Sequence, residues 1–313
     1  MEQPAVQDDD EQEQGPCWSK LPAAAMLLVL EHVSSLDDLV SVGQTCQSWR
    51  AVAKMVSVWK SRNLLYSHMW EFLRDLDLPR HNALRHRDAR PFTRIIRFAP
   101  ALNWVRTGEV MLPAARKALC ESKIKFFGVE LNGRLAWSAK FLGMKEDGLE
   151  EVTLINPSLN CLVAALRCKD LRSLQFKFSQ DAKYQCPSLP SDTPIERVKP
   201  LKGLISSGGP FTAALSTLVQ RFGSTLEEVH VACLPSAAAL AACPRLRTLG
   251  VNLDPASAKD KKELLAGLQG KKLDFIGFKE VNSWDRHDKK LCEAFRKELK
   301  KFTSGEVLCR MCA

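Results

Sequence analysis

The residues that could hold a metal ion are few and widely spaced. Cys309 and Cys312 form a Cys-x-x-Cys pair, which supplies half of a zinc site, but the sequence shows no second pair nearby. The six histidines show no metal-ligand spacing, and none accompanies a nucleophile motif. The sequence therefore predicts no metal site and no cofactor.

Catalytic machinery is also hard to find. The glycine-rich segment 206–209 lacks the Gly-Lys-Ser/Thr ending of a phosphate-binding loop, and Pro210 follows it directly, so a turn explains it. A cysteine nucleophile stays open as an alternative, and it would show as one thiol with unusual reactivity at neutral pH. Apart from that alternative, no residue pattern in the sequence supports an enzyme.

Composition sets the broad class. At 313 residues with 45% hydrophobic content, the chain exceeds a typical single domain and supports a sizeable core. No run of 18 or more apolar residues occurs, so no membrane span is expected. The eleven cysteines are odd in number and show no paired framework, which favours thiols in a reducing compartment. The predicted location is cytoplasmic, nuclear or both.

Charge is distributed unevenly along the chain. Residues 1–16 contain six acids and no lysine or arginine, which predicts a disordered acidic leader. The whole chain nevertheless carries a formal net charge of +9. Basic residues are densest between Arg80 and Arg97, a surface that would attract acidic proteins or nucleic acid. No zinc-finger or RNA-binding signature accompanies it, so nucleic acid is an alternative partner only. The arginines concerned are Arg80, Arg85, Arg87, Arg90, Arg94 and Arg97.

The stretch from Leu21 to Trp59 must be helical. Pro22 suits the first turn of a helix, and apolar residues follow at a spacing of three and four. Ser35 with Asp38 has the form of a capping box and predicts the start of a second helix. A third helix beginning at Thr45 would carry one apolar stripe. That stripe comprises Cys46, Trp49, Ala53 and Val56.

Three short helices of this length cannot bury all their apolar residues among themselves. Leu28 and Val29 add apolar surface outside the inner face of the first helix, so part of this surface is expected to meet a partner. A helical hairpin that merely caps a larger domain is the alternative.

The order Leu-Pro, apolar helix, polar break, Cys-x-x-Trp and a later Trp resembles the F-box. That family docks a substrate receptor onto a ubiquitin ligase through the Skp adaptor and, beyond it, a cullin and a RING protein. The resemblance implies a three-helix module over residues 17–62. Carried over position by position, it implies a set of adaptor-binding residues, some of which must instead form the core of the module, with Trp49 the most ambiguous. The set is Leu21, Pro22, Leu27, Leu30, Leu39, Cys46, Trp49 and Trp59.

A second pattern repeats after residue 112. The element apolar-x-x-apolar-x-apolar recurs with helical segments between its copies, and alternation within each copy predicts a short strand with one buried face. The copies are Ile124–Val129, Leu149–Leu154, Leu171–Phe176, Leu226–Val231, Leu246–Val251 and Leu273–Phe278. The predicted helices are Pro113–Glu121, Ser158–Cys168, Phe211–Phe222, Ser236–Ala242, Ala258–Leu268 and Leu291–Phe302.

This alternation resembles the leucine-rich repeat, in degenerate form. The resemblance implies an α/β solenoid with parallel strands on its concave side and helices on its convex side; a doubly wound α/β domain is the rival. We expect a helical connector over 63–112 and the repeat domain over 113–313, with a loop insertion at 180–209. A missing unit could be hidden in that insertion, where residues 195–198 are a poor candidate.

In such a solenoid the polar side chains of the strands would face the concave surface and bind the target. They are Glu151, Thr153, Ser173, Gln175, Lys177, Glu228, His230, Thr248 and Asn252. Together the two resemblances imply a non-catalytic substrate receptor of a Skp–cullin–F-box ubiquitin ligase, which recruits a target protein for ubiquitin-dependent degradation. The alternative is a repeat scaffold that uses its basic surface without a ligase.

Overall fold

The structure is a computed structural model. It describes residues 18–67, 83–85, 89–107, 111–178, 187, 189–190, 193, 199–207, 213–232, 234–280, 288–309 and 311–312. The predicted acidic leader, part of the basic stretch and most of the predicted loop insertion lie outside these residues.

Four short helices open the described chain, after a 3-10 turn at Trp18–Lys20. They are α1 (Ala23–His32), α2 (Leu36–Val42), α3 (Gln47–Ala53) and α4 (Val56–Trp59). The predicted capping of α2 is confirmed, since the Ser35 hydroxyl accepts a hydrogen bond from the Asp38 backbone N–H at 3.3 Å. The predicted third helix is shorter than expected. It begins after Cys46 and ends at Ala53, and a new helix starts at Val56, so Val56 leaves the predicted stripe.

Eight further helices alternate with strands. They are α5 (Ala89–Phe98), α6 (Pro113–Glu121), α7 (Ala136–Met144), α8 (Leu159–Arg167), α9 (Ala213–Phe222), α10 (Ala237–Ala241), α11 (Ala258–Gly267) and α12 (Lys289–Leu299). α6 has the bounds that the sequence predicts, and the five helices α8 to α12 overlap the other predicted helices. The sequence analysis did not predict α7.

Within the described residues, eleven strands form one sheet. They are β1 (Asn63–Ser67), β2 (Ala83–Arg85), β3 (Ala101–Thr107), β4 (Lys125–Asn132), β5 (Glu151–Ile155), β6 (Ser173–Lys177), β7 (Gly203–Ser207), β8 (Glu228–Val231), β9 (Thr248–Leu253), β10 (Leu273–Glu280) and β11 (Thr303–Cys309). Every ladder is parallel, and β3 to β11 lie side by side in chain order. A doubly wound sheet would reverse its strand order near the middle, so the rival architecture is wrong.

The core lies between one face of this sheet and a single layer of helices. Apolar side chains stand in register across eight neighbouring strands, each almost fully buried, and full burial of one such side chain stabilises the fold by about 1.5–3 kcal/mol. The row is Val129, Val152, Leu174, Leu204, Val229, Leu249, Ile276 and Val307. Strands covered by helices on one side only are typical of a leucine-rich-repeat-like solenoid.

The structure corrects two expectations about this sheet. Residues 63–107 are not a purely helical connector, because they contribute β1, β2 and β3 as well as α5. The predicted loop insertion contains β7, which is the missing unit: Leu201 and Leu204 are fully buried and Ser206 takes the third apolar position. A serine at that position hid the unit from a search for apolar residues.

Candidate docking surfaces

The predicted adaptor-binding residues differ in how deeply their side chains are buried. Pro22 is exposed at the start of α1. Three residues are half-buried and pack against the core: Leu21, Leu27 and Cys46. Four are buried: Leu30, Leu39, Trp49 and Trp59. The buried four shape the region from inside and expose little or no side chain to a partner in this structure.

Trp59 illustrates the internal role. Its side chain is 0% exposed, and its indole Nε1 donates a hydrogen bond to the carbonyl of Ala53 at 2.6 Å. The ring also contacts Phe98, with 6.1 Å between the ring centroids. Trp49 is buried as well, and its Nε1 donates to the carbonyl of Trp18 at 3.2 Å. Both indoles have the hydrogen-bond partner that a buried tryptophan needs.

Exposed apolar side chains concentrate in the same region. Of the seven large hydrophobic residues most exposed in the described part of the chain, five lie between residues 18 and 56. They are Trp18, Leu28, Val29, Met55 and Val56. Such a concentration on a small helical unit is typical of interaction surfaces. The sequence indicated Leu28 and Val29, because they lie outside the inner face of α1. It did not indicate Met55 and Val56, because the third helix was predicted to extend through them.

Arg62 fastens this helical region to the sheet. Its guanidinium donates to the carbonyls of Val33 at 2.6 Å and Leu30 at 3.0 Å, where α1 ends and leaves carbonyl groups without helical partners. One residue later β1 begins, and the backbone carbonyl of Arg62 accepts from the N–H of Asn103 at 2.8 Å. The end of α1 is therefore tied to the first strands.

A second set of side-chain contacts connects α2 with α5. The Arg94 guanidinium contacts Asp37 at 3.2 Å and donates to the side chains of Ser41 at 3.1 Å and Gln44 at 2.7 Å. Nearby, the Phe98 ring lies against Gly43, where a Cβ atom would overlap it. Arg94 belongs to the predicted basic stretch, so at least this arginine holds two helices together. Arg80 and Arg87 lie outside the described residues.

The nine predicted target-binding residues lie on one face of the sheet, opposite the core. The registers place Glu151, Ser173, Glu228 and Thr248 in one row across β5 to β9. The next row holds Thr153, Gln175 and His230, and Lys177 and Asn252 follow further along their strands. Eight of the nine are half-buried, but Thr153 is buried, and its hydroxyl donates to the Gln175 side chain at 3.1 Å.

Carboxylates on this strand face differ in their surroundings. Burial raises the pKa of the Glu151 carboxyl, and the nearby carboxylates of Glu150 and Glu228 raise it further. A hydrogen bond with His230, at 3.0 Å from Nε2, lowers the pKa of Glu228 against the opposing effect of burial. Glu151 therefore carries a charge that its neighbours disfavour, and a cation from outside would relieve it.

The face also contains charged residues that the sequence analysis did not select. Glu130 lies 2.6 Å from Lys177 and 3.9 Å from Arg106, and its side chain is mostly buried. The sequence could have indicated Glu130, because it directly follows Val129 of the first repeat copy and therefore belongs to the opposite face of the strand.

Three rings lie against glycine residues on the strand face, because a glycine has no side chain and leaves room for each ring. The rings of Trp104 and His230 cover Gly128 and Gly250 in this way. The Phe275 ring instead covers Gly277 of its own strand. Rings placed in this way add flat apolar area beside the polar residues, which suits a broad protein contact.

Two further findings concern the length of the helices and the acidity of the thiols. No helix among the described residues is long and apolar enough to cross a membrane. The cysteines of the described chain carry thiols, and burial raises the pKa of Cys161 to about 12 and of Cys243 to about 11. A thiol with a raised pKa is a poor nucleophile at neutral pH.

Comparison with known proteins agrees with the N-terminal geometry. The F-box-like family model matches residues 18–65, which span the four short helices and the start of β1. A comparison with curated proteins found no match. Residues 18–65 of this chain form an F-box-like domain, and an all-parallel sheet of the leucine-rich-repeat type follows it.

Proposed function

We propose that this protein is a substrate receptor of a Skp–cullin–F-box ubiquitin ligase. The F-box-like domain holds the Skp adaptor, and the strand face holds a protein target. Ubiquitin comes from a conjugating enzyme carried by the cullin–RING part of the assembly. The single observation that supports this most is the F-box-like match over residues 18–65. Such domains are typical of non-catalytic adaptors.

The exposed apolar residues support adaptor docking independently of the family match. Leu28 and Val29 sit on the outer side of α1, and Met55 and Val56 lie where α4 begins. Helices α1 and α4 are in contact with each other. Large apolar side chains at the centre of an interface supply most of its binding free energy.

Positioning is the contribution that this chain makes to ubiquitin transfer. A receptor raises the effective concentration of target lysines near the charged conjugating enzyme. That effect requires a fixed angle between the adaptor site and the target site. Arg62 and Arg94, which tie α1 to the sheet and α2 to α5, provide such a connection.

For the target we propose the strand face. Its half-buried polar residues present both signs of charge over neighbouring strands, and flat rings lie beside them. Glu151 would pair with a basic side chain of the target, which offsets the repulsion from Glu150 and Glu228. The residues proposed to contact the target are Glu151, Ser173, Gln175, Lys177, Glu228, His230, Thr248 and Asn252.

The test is co-elution with the Skp adaptor. The full chain is co-expressed with the adaptor and should elute as a 1:1 complex. Leu28→Ser combined with Val29→Ser should weaken binding roughly tenfold or more, because two apolar contacts are lost. Met144→Ser is the matched control: Met144 is 50% exposed on α7, against 60% for Leu28, and lies far from the adaptor surface in the chain.

Two further measurements decide the outcome. The melting temperature of both variants should equal that of the unaltered chain, because the changed side chains are exposed. Adaptor affinity should change little between about 50 and 200 mM salt, whereas phosphate binding by a basic scaffold would fall steeply. An undiminished complex with the double variant, or no complex with the unaltered chain, contradicts the adaptor role.

A further inference from the structure

Three cysteines meet at the last strand of the sheet. Cys292 lies on α12, Cys309 is the last residue of β11, and Cys312 follows in the turn beyond it. Their Sγ atoms all lie within 4.8 Å of one another, and those of Cys292 and Cys312 are 3.5 Å apart. The Cys-x-x-Cys pair of the sequence thus has a third thiol from a helix 17 residues earlier in the chain.

Local structure fixes this arrangement. The Cys312 backbone N–H donates to the carbonyl of Cys309 at 3.1 Å, which closes a turn with both side chains near α12. Met311 packs against the core and anchors that turn. On the other side, Cys292 belongs to the buried face of α12, beside Phe295 and Leu299. Cys292 and Cys309 are buried, whereas Cys312 reaches the surface, so an ion could enter from that side.

The sulfur geometry suits a tetrahedral thiophilic ion. A Zn–S bond of about 2.3 Å places two thiolates of a tetrahedral site about 3.8 Å apart. The Sγ atoms of Cys292 and Cys312 are 3.5 Å apart and no pair of the three is more than 4.8 Å apart, so small side-chain rotations would bring all three to bonding distance. Thiolate ligands select Zn²⁺ or Cu⁺ over Mg²⁺ and Ca²⁺, which prefer oxygen.

One positive charge lies beside the three thiols. The guanidinium of Arg296 interacts electrostatically with Cys312. Arg296 is held in place because its Nε donates to the carbonyl of Val307 at 3.2 Å. One Zn²⁺ with three thiolates carries a net charge of −1, which the guanidinium would stabilise.

We propose that Cys292, Cys309 and Cys312 form a zinc site that fastens the C-terminal turn to α12. Among the described residues, no fourth histidine, cysteine or acidic side chain joins the group, so the fourth position would be open to water. The site would hold the last strand in register. β11 lies at one edge of the described sheet, and an edge strand presents unpaired backbone groups, so a metal fastening there protects the fold.

Metal content is the first test. The full chain is purified with a reductant that does not bind metals. Inductively coupled plasma mass spectrometry should then find one zinc ion per molecule. Cys312→Ser should lower the zinc affinity by on the order of 10–100-fold or more, because even the loss of a residue that only supports a metal ligand has an effect of that size. Cys120→Ser is the matched control, because Cys120 is a half-buried thiol on α6, outside the cluster.

Cobalt supplies a readout specific to thiolate ligands. Adding Co²⁺ to the zinc-free chain should produce the ultraviolet thiolate-to-metal band and the visible bands of tetrahedral cobalt, and Cys312→Ser should diminish both. Zinc should also raise the melting temperature of the unaltered chain and of Cys120→Ser, but not of Cys312→Ser. Because Cys312 is exposed, its serine variant should fold, and circular dichroism checks this.

Several results would overturn the proposal. They are the absence of zinc from the unaltered chain, equal zinc in Cys312→Ser, copper in place of zinc, and a Cys292–Cys312 disulfide in freshly purified protein. A failure of adaptor binding would leave this inference intact, because the thiol cluster lies at the opposite end of the chain from the F-box-like domain.

Discussion

The F-box-like domain and the strand face differ in what they leave exposed. The domain exposes large apolar side chains and uses polar groups, such as Arg62 and the two indoles, for internal hydrogen bonds. The strand face presents half-buried polar residues together with a few aromatic rings, and the row of buried aliphatic side chains lies on the opposite side. Apolar docking tolerates salt and pH, whereas charged contacts respond to both. One region suits a permanent partner and the other suits a selective one.

The largest expected effect tests whether Trp59 belongs to the core or to the docking surface. Trp59→Ala should cost about 3–5 kcal/mol of folding free energy, since it removes a fully buried indole and leaves a cavity. Thermal unfolding followed by circular dichroism measures the loss. Trp18→Ala is the control: its side chain is 63% exposed, so it should weaken adaptor binding and leave the melting temperature unchanged. A normal melting temperature for Trp59→Ala would place that residue on the surface after all.

A smaller effect tests the joint between the two regions. Arg94→Ala removes the contacts with Asp37, Ser41 and Gln44 and should cost about 1 kcal/mol, because the pair is partly exposed. Hydrogen exchange should increase in α2. The control is Arg97→Ala, which removes an exposed arginine from the same helix. Equal exchange in both variants would show that Arg94 does not couple the helices.

The charged network of the strand face should contribute less. Lys177→Met breaks the 2.6 Å contact with Glu130 and should lower stability by about 0.5 kcal/mol, less at high salt. Denaturant titrations at two salt concentrations measure both quantities. Lys125→Met removes the same charge from an exposed site on β4 and should have no effect. A salt-independent loss in Lys177→Met would assign the effect to packing.

The smallest effect has the opposite sign. The folded-state pKa of Glu151 is raised, so the folded chain loses stability as pH rises through that pKa, and neutralising the carboxyl should restore it. Glu151→Gln should raise the melting temperature at pH 7 by about 1 °C, because water screens half-exposed charges. At a pH below the ordinary carboxyl pKa, the difference should vanish.

Glu150→Gln is the matched control for this pH effect. Glu150→Gln also removes the repulsion of Glu151, but it breaks the ion pair of Glu150 with Arg172 at 3.3 Å, so any increase in melting temperature should be smaller than that of Glu151→Gln. An increase equal to that of Glu151→Gln would point to the overall charge of the chain. If Glu151 binds a basic target, the glutamine variant should be more stable and bind the target less well.

Local patterns predicted much of this structure. Ser35, Ser158 and Ser257 each accept a hydrogen bond from the backbone N–H three residues later, so the helix starts can be inferred from neighbouring residues. The six repeat copies became strands because alternation of apolar residues requires a half-buried extended chain. The F-box-like order of residues was equally visible, since it lies within one short stretch.

Exposure was decided only by the tertiary structure. Sequence order placed Leu30, Leu39, Trp49 and Trp59 among the docking residues, but packing of the helices on one another and on Phe98 buries them. The same packing left Met55 and Val56 in contact with water. Burial depends on the relative placement of whole helices, which the spacing within one helix does not specify.

Long-range pairing accounts for what else the sequence did not show. β1 and β7 lack the full apolar-x-x-apolar-x-apolar pattern, and only their ladders to neighbouring strands identify them as strands. The third thiol reaches the Cys-x-x-Cys pair because α12 packs on β11. The sequence by itself determined which segments are helices and repeat strands, since short-range hydrogen bonds and periodicity fix these. The tertiary structure decided which side chains meet, since that depends on contacts between segments far apart in the chain.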